Sequence, residues 1–340
     1  AELIVTDERF GAAHPLLDET QRQVQQRLLP LLEQGVLPVV TGYLAATRQG
    51  AVTTLGRGGS DYSAALLGAA LPAGEVCIWS DVDGILTADP NLVPEATTLD
   101  KLTYEEAATL AYFGADVLHP KTIRPVAAAG IPLRLLNSFN PGHPGTLVTA
   151  QAIDRANPIR RSVQAAKHRR VAIISTNGLA LIRLGSQDDS WNPLLASRAL
   201  QSLGASGLDV PMFSQSFSEH SLNLVVRQQD QEHCIKLLEE AFRDELAGKT
   251  ENTGGFHLDV RLKVATVSVV GVPQGQDSGI VARAFAALGS SGTRVIAVAQ
   301  SSRENSVSFC IPAEQLAATV RGLHAHLGLS VPAAAALAQG

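Results

Sequence analysis

The chain has 340 residues, a net charge of −5, 45% hydrophobic residues and 17% charged ones. At ~150 residues per domain this is material for about two domains with real cores, which excludes global disorder. The charge gives no footprint for nucleic acid or anionic membrane, no apolar run reaches the ~20 residues of a membrane span, and three scattered cysteines without CxxC spacing argue against a disulfide framework or zinc site and for a reducing cytoplasm.

In chain order, Leu3-Ile4-Val5 is strand-like, and the chain opens inside this run without an initiator Met, as a fragment would. Residues 16–34 carry helical spacing (Val24, Leu28, Leu31, Leu32), interrupted at Pro30 and stopped by Gly35. A short apolar run at 36–43 precedes a polar turn at 47–50. Ser60 or Asp61 then caps a helix over 62–71, and 76–79 reads as a buried strand. Helices at 104–113 and 120–129 and a strand at 132–136 complete an alternation that predicts a parallel sheet covered by helices.

The composition changes after residue 150. A polar, basic stretch at 154–170 reads as a linker between an α/β domain over 1–153 and the C-terminal half of the chain. Residues 199–226 then align without gaps onto 284–311, with ten identities in twenty-eight positions, among them Leu203-Gly204 with Leu288-Gly289 and Gln215-Ser216 with Gln300-Ser301. Each copy reads strand, helix, strand, turn, strand, helix, the split βαβ pattern of a ferredoxin-like module. The expected division is 171–260 for the first module, 261–330 for the second and 331–340 for an Ala-rich tail.

Three strings carry candidate chemistry. Thr53-Thr54-Leu55-Gly56-Arg57-Gly58-Gly59-Ser60-Asp61 runs into a helix, so its glycines let the backbone approach an anion at the helix's exposed N–H groups, and Arg57 adds a fork suited to a carboxylate or phosphate. An ordinary glycine turn is the bland alternative. Trp79-Ser80-Asp81-Val82-Asp83-Gly84 follows a buried strand, where open α/β sheets place ligands. Phe113-Gly114-Ala115-Asp116-Val117-Leu118-His119-Pro120 joins two helices, and His119 reads as a structural histidine that caps or packs. His324 and His326 do not share a helical face and are no metal pair.

Together with Thr41-Gly42-Tyr43, Thr87-Ala88-Asp89-Pro90 and Pro144-Gly145-Thr146-Leu147, these strings resemble aspartate kinase, and the order fits the C-terminal part of its amino-acid-kinase domain followed by tandem ACT domains. The resemblance implies phosphoryl transfer from ATP, with Mg2+, to the β-carboxylate of L-aspartate. It implies Arg57, Gly58, Gly59 and Ser60 as the aspartate pocket and Asp61 as the acid that orients catalytic groups. Ser80, Asp81, Leu86, Asn91, Asp116 and Val117 would lie by the nucleotide; Leu86, Asn91 and Asp116 stand where the family has an aromatic residue, an arginine and a lysine.

The family's Lys-Phe-Gly-Gly segment has no counterpart, so the chain alone is expected to have little or no kinase activity. In relatives fused to homoserine dehydrogenase, a Gln-Ser-Ser pattern belongs to a threonine site. By that likeness Gln215, Gln300, Asn192, Asp277 and Ser278 are implied as effector contacts, for threonine or lysine, with homo-oligomerisation through the ACT domains. A non-catalytic amino-acid-sensing regulatory subunit is the alternative, and a homoserine dehydrogenase domain beyond residue 340 stays open.

Overall fold

The computed structural model describes residues 2–113, 118–150, 171–186, 193–216, 218–247, 255–271, 279–301 and 306–330. Two compact units emerge, one of Ala1–Thr87 with Ala96–Ala172 and one of Ala88–Glu95 with Ile173–Gly340.

In the first unit, β1 (Val5–Thr6) pairs parallel with β2 (Leu44–Thr47), which turns back on β3 (Val52–Thr54). Helix α1 (Leu17–Glu33) buries Thr20, Val24 and Leu28, one face at four-residue spacing, while Leu31 and Leu32 are exposed. It is continuous through Pro30, contrary to the expected interruption: the missing donor falls in the last turn, beyond the buried residues that hold the helix. Helix α2 (Gly59–Ala70) leads into a second sheet of β4 (Val76–Ser80), β5 (Lys101–Thr103), β6 (Leu133–Asn137) and β7 (Thr146–Thr149), ordered β4-β6-β7-β5. Helices α3 (Tyr104–Tyr112) and α4 (Pro120–Ala129) lie between β5 and β6 in the chain.

The expected parallel sheet is corrected to two mixed sheets. β4–β6 and β5–β7 are parallel, whereas β2–β3 and β6–β7 are antiparallel. The connections from β2 to β3 and from β6 to β7 are short, and short connections impose antiparallel pairing.

The second unit confirms the repeat as structure. It contains β8 (Ala172–Ser186), α5 (Pro193–Ala205), β9 (Met212–Ser216), β10 (Ser221–Arg227), α6 (Gln231–Ala241), α7 (Arg243–Leu246), β11 (Phe256–Val270), α8 (Gly279–Ser290), β12 (Ala297–Ser301), β13 (Ser306–Pro312) and α9 (Leu316–Leu327). Repeat partners play equal parts. Ala199 and Ala284 are both fully buried, and the Gly207 and Gly292 amides donate to the Gly204 and Gly289 carbonyls at 3.1 and 3.2 Å.

All six strands form one sheet in the order β12-β13-β11-β8-β10-β9. β8 pairs with β10 only over its second half (Leu179 to Gly185), and β11 pairs with β13 only over its second half (Val264 to Val269). The expected division at 260/261 therefore falls inside a continuous strand. One sheet face carries Ile182, Leu184, Leu222 and Leu224 into a core with α5 and α6; the other gathers Leu181, Met212, Val225, Val264, Ala297 and Cys310. Edge strands β9 and β12 approach within 8 Å between Cα atoms, so the sheet curls around that second core.

Candidate functional site

The glycine-rich turn is built by close approach. Gly56 and Gly58 have left-handed φ of 75° and 69°, and Gly58 is the N-cap of α2 with no side-chain cap. The expected cap at Ser60 or Asp61 is thus corrected: both lie in the first helical turn, because the helix begins directly on the turn. A Cβ on Gly58 would stand 2.6 Å from His119 Cβ, and one on Gly59 would stand 2.7 Å from Tyr43 Cδ2. Tyr43 holds a φ of 71°, an uncommon conformation for a non-glycine residue, and its N–H donates to Ser63 Oγ at 3.0 Å, which in turn donates to the Gly59 carbonyl at 2.7 Å. The turn is therefore wedged between Tyr43 and His119, leaving Arg57 and Ser60 exposed above the α2 N-terminus.

A helix N-terminus favours an anion through its dipole, although the Gly59 N–H already donates to the Gly56 carbonyl at 3.0 Å. Burial raises the Asp61 carboxyl above its ordinary range. His119 accepts from the Lys121 N–H at 3.2 Å as the N-cap of α4, and burial, then the charges of Lys121 and Arg57, hold its imidazole below its ordinary value.

The second string ends β4. Gly68, near the C-terminal end of α2, packs on Val76 at the start of β4. Nine residues of helix back to Gly59 rise about 14 Å and the four steps to Ser80 about 13 Å, so the glycine turn and the Ser80 loop point to the same end of the unit. Ser80 Oγ donates to Asp81 Oδ1 at 3.1 Å. Asp83 Oδ1 accepts from Asn137 Nδ2 at 2.8 Å and Asn140 Nδ2 at 3.1 Å, tying the loop to the parallel neighbour β6. Trp79 and Phe139 stand exposed nearby on β4 and just after β6. The sequence reading missed Tyr43, Asp83, Asn137, Asn140 and Phe139 as site residues. Only the positions of Tyr43 and Asp83 inside quoted strings hinted at them.

Leu86 makes an isolated bridge with Thr98. Asn91 falls in the second unit, its N–H and Nδ2 donating to Asp89 Oδ1 at 2.9 and 3.0 Å. Asp116, Val117, Asn192, Asp277 and Ser278 lie outside the described residues. Gln215 and Gln300 sit within β9 and β12, since pairing continues to Ser216–Ser221 and Ser301–Ser306. Gln215 Nε2 is buried with no hydrogen-bond partner, whereas Gln300 is exposed. No group of three acidic, histidine or cysteine side chains poised for a metal occurs among the described residues, and no described helix is long and apolar enough to cross a membrane.

An α/β lobe with an anion-receiving glycine turn, followed by two ferredoxin-like modules in one sheet, is the architecture of an amino-acid-kinase lobe joined to ACT domains. The sequence profile of the amino acid kinase family matches residues 2–137, and that of the ACT domain matches 191–242 and 267–327. The chain is thus similar to the amino acid kinase family in its first part and to the ACT domain in its second, and its relatives over most of its length are aspartokinases. It is 34% identical to the bifunctional aspartokinase/homoserine dehydrogenase of Haemophilus influenzae over 84% of its length and 33% of that protein's, and 32% identical to Aspartokinase 2, chloroplastic, of Arabidopsis thaliana over 94% and 56%. E. coli aspartokinase III in complex with aspartate and ADP superposes with a TM-score of 0.75 at 28% identity, covering 96% of this chain and 68% of that one. The complex of the same enzyme with lysine and aspartate gives 0.70 at 28%, over 96% and 68%. The chain thus spans about a third of the length of the bifunctional relative.

Proposed function

We propose that this chain supplies the aspartate-gripping part of an aspartate kinase, which transfers the γ-phosphoryl group of ATP to the β-carboxylate of L-aspartate under control of amino acids bound to its ACT modules. The observation that carries this reading is the glycine turn wedged between Tyr43 and His119, which presents Arg57 and Ser60 over the N-terminus of α2. Arg57 takes the substrate α-carboxylate through its planar fork. Gly58, Gly59 and Ser60 shape the pocket, and Asp61 orients the groups around the transfer.

The nucleophile needs no general base, because an aspartate carboxylate of pKa near ~3.9 is already ionised at neutral pH. What it needs is alignment, and relief of repulsion from the triphosphate. Ser80 and Asp81, with Leu86, Asn91, Asp116 and Val117, serve the nucleotide. The sparse carboxylates suit Mg2+, which keeps waters and substrate phosphates as most of its ligands. Such an ion would travel with ATP, with Asp81 as the acid of the loop that would face it, and would neutralise phosphate charge.

Gln215, Gln300, Asn192, Asp277 and Ser278 would receive threonine or lysine, and pairing of ACT modules would make a homo-oligomer in the cytoplasm. In this reading 1–153 is kinase-domain sequence, 154–170 a linker, 171–260 and 261–330 the modules sharing β11, and 331–340 a tail. With no Lys-Phe-Gly-Gly segment in the sequence, the 340 residues by themselves should turn over little or no ATP, so binding is the decisive test. Calorimetric titration with L-aspartate should show binding that weakens at least about tenfold in Arg57→Ala, the loss of a charge-assisted bidentate contact. Equal affinity in the variant would remove the aspartate assignment.

A further inference from the structure

The loop that carries Ser80 and Asp81 is gripped along its length by β6, β7 and the connection between them. At its start, the Ser138 N–H donates to the Ser80 carbonyl at 2.8 Å, extending the parallel β4–β6 ladder in which Ser80 lies opposite Asn137. In its middle, Asp83 Oδ1 accepts from Asn137 Nδ2 at 2.8 Å and from Asn140 Nδ2 at 3.1 Å. At its end, the Ile85 N–H donates to Thr146 Oγ1 at 2.8 Å. Gly84, with a φ of 107°, comes so close that a Cβ there would stand 2.4 Å from that same oxygen.

The middle grip differs in kind from the other two, because it joins side chain to side chain. Asn137 is buried, and both ends of its amide are used: Nδ2 donates to Asp83, and Oδ1 accepts from the Phe139 N–H at 2.9 Å. That pairing fixes which way the amide faces. The Asn140 N–H donates to the Asn137 carbonyl at 3.2 Å, so the two amides reach Asp83 from one turn. Hydrogen bonds to an ionised acceptor are stronger than neutral ones, which suits a carboxylate to this place. With Ser80 and Asp83 both held, only Asp81 and Val82 lie between fixed points. Release of Asp83 would free the whole span from Asp81 to Gly84, and each further residue that a ligand must order costs affinity.

We propose that Asp83 is a positioning residue for the nucleotide. Braced by Asn137 and Asn140, it holds Ser80 and Asp81 in the conformation that meets the nucleotide, and it acts as a hydrogen-bond acceptor, not as a ligand of metal or phosphate. The inference rests on the assignment of Ser80 and Asp81 to the nucleotide under the proposed function. It separates the two acids of the loop by role: Oδ1 of Asp83 is already taken by two amide donors, whereas Asp81 stands exposed with Oδ1 accepting from Ser80 Oγ at 3.1 Å. What Asp83 must supply is one oxygen that accepts twice, and an asparagine carbonyl can do the same.

Calorimetric titration of the 340-residue chain with ADP in the presence of Mg2+, and separately with L-aspartate, tests this. Asp83→Ala should weaken ADP binding about tenfold and leave L-aspartate affinity unchanged, and Asn140→Ala, which removes one of the two donors, should weaken ADP by less. Asp83→Asn should bind ADP within about twofold of wild type, because the carbonyl oxygen still accepts both amides. Asn137→Asp sets two carboxylates against each other and should weaken ADP at least as much as Asp83→Ala, whereas the double variant Asp83→Asn, Asn137→Asp should recover most of the loss. The inference is overturned if Asp83→Ala binds ADP like wild type, or if ADP and L-aspartate affinities fall together, as they would from a general loss of structure. It is equally overturned if Asp83→Asn loses as much as Asp83→Ala, since the charge itself would then meet the ligand. A wild-type chain that binds no ADP overturns the nucleotide reading of the loop and this inference with it. Should Asn137→Asp not fold, the two Asp83 variants decide the matter.

Discussion

Gly58 shows how much of the candidate site rests on a missing side chain. Its φ of 69° is left-handed, and a Cβ there would meet His119 Cβ at 2.6 Å. Left-handed backbone costs a non-glycine residue about 1–2 kcal/mol, and forcing an extra carbon against a packed neighbour costs a further ~1–3 kcal/mol. Gly58→Ala should therefore destabilise the first unit by about 2–5 kcal/mol in urea and, by displacing Arg57, weaken aspartate binding in the same protein. The matched control is Gly142→Ala. That position has no atom within 4 Å of the added carbon and no left-handed φ, so its effect should stay within about 0.5 kcal/mol. Equal losses at the two positions would mean that the wedge between Tyr43 and His119 does not hold the turn.

At the level of elements, β8 takes up β10 and β11 takes up β13 only from half-way along, and each carries a left-handed residue just before that pairing begins: Gly178 with φ 71° and Lys263 with φ 55°. The stretches around these bends are exposed while both ends of β8 and the second half of β11 are buried, which is what a strand leaving one core for another requires. Gly178 has no atom within 4 Å of a built Cβ, so Gly178→Ala tests backbone conformation alone. It should lose about 1–2 kcal/mol in urea unfolding of the second unit, and Gly178→Asn less, because Asn tolerates the left-handed region. The sequence made the repeat legible, since equal burial, equal helix ends and equal strand positions in two copies leave the same residue types in the same order. It also made the glycine turn and the Ser80 loop legible, because local backbone chemistry is written locally. The shared strands were not, as pairing between β8 and β11 joins residues some eighty positions apart and depends on a bend that a single glycine or lysine does not announce. For the same reason Tyr43 and His119 read as ordinary residues until the turn brought them onto Gly58 and Gly59.

Across the whole molecule, acid should loosen the two units for related reasons. His324 is 1% exposed on α9, and burial holds its imidazole below the ordinary value, with the Glu95 carboxylate of the same unit opposing that shift. His119 in the first unit is shifted the same way. A histidine whose folded pKa is depressed binds fewer protons folded than unfolded between that pKa and about 6.5, so stability is fully present above about 6.5 and is lost as pH falls toward the folded value. Asp61 opposes this in more acidic solution. Its raised pKa makes the folded state the better proton acceptor between the ordinary aspartate value and the folded one, so it favours folding as pH falls through that window. Calorimetric melting should thus fall in temperature as pH is lowered from neutrality to below 6, before the carboxylates titrate. His324→Leu should flatten that fall for the second unit and leave the first unit's response in place. A variant whose second unit melts with the same pH slope as wild type would show that this imidazole binds protons alike in the folded and unfolded chain, and the acid sensitivity would then have to come from elsewhere.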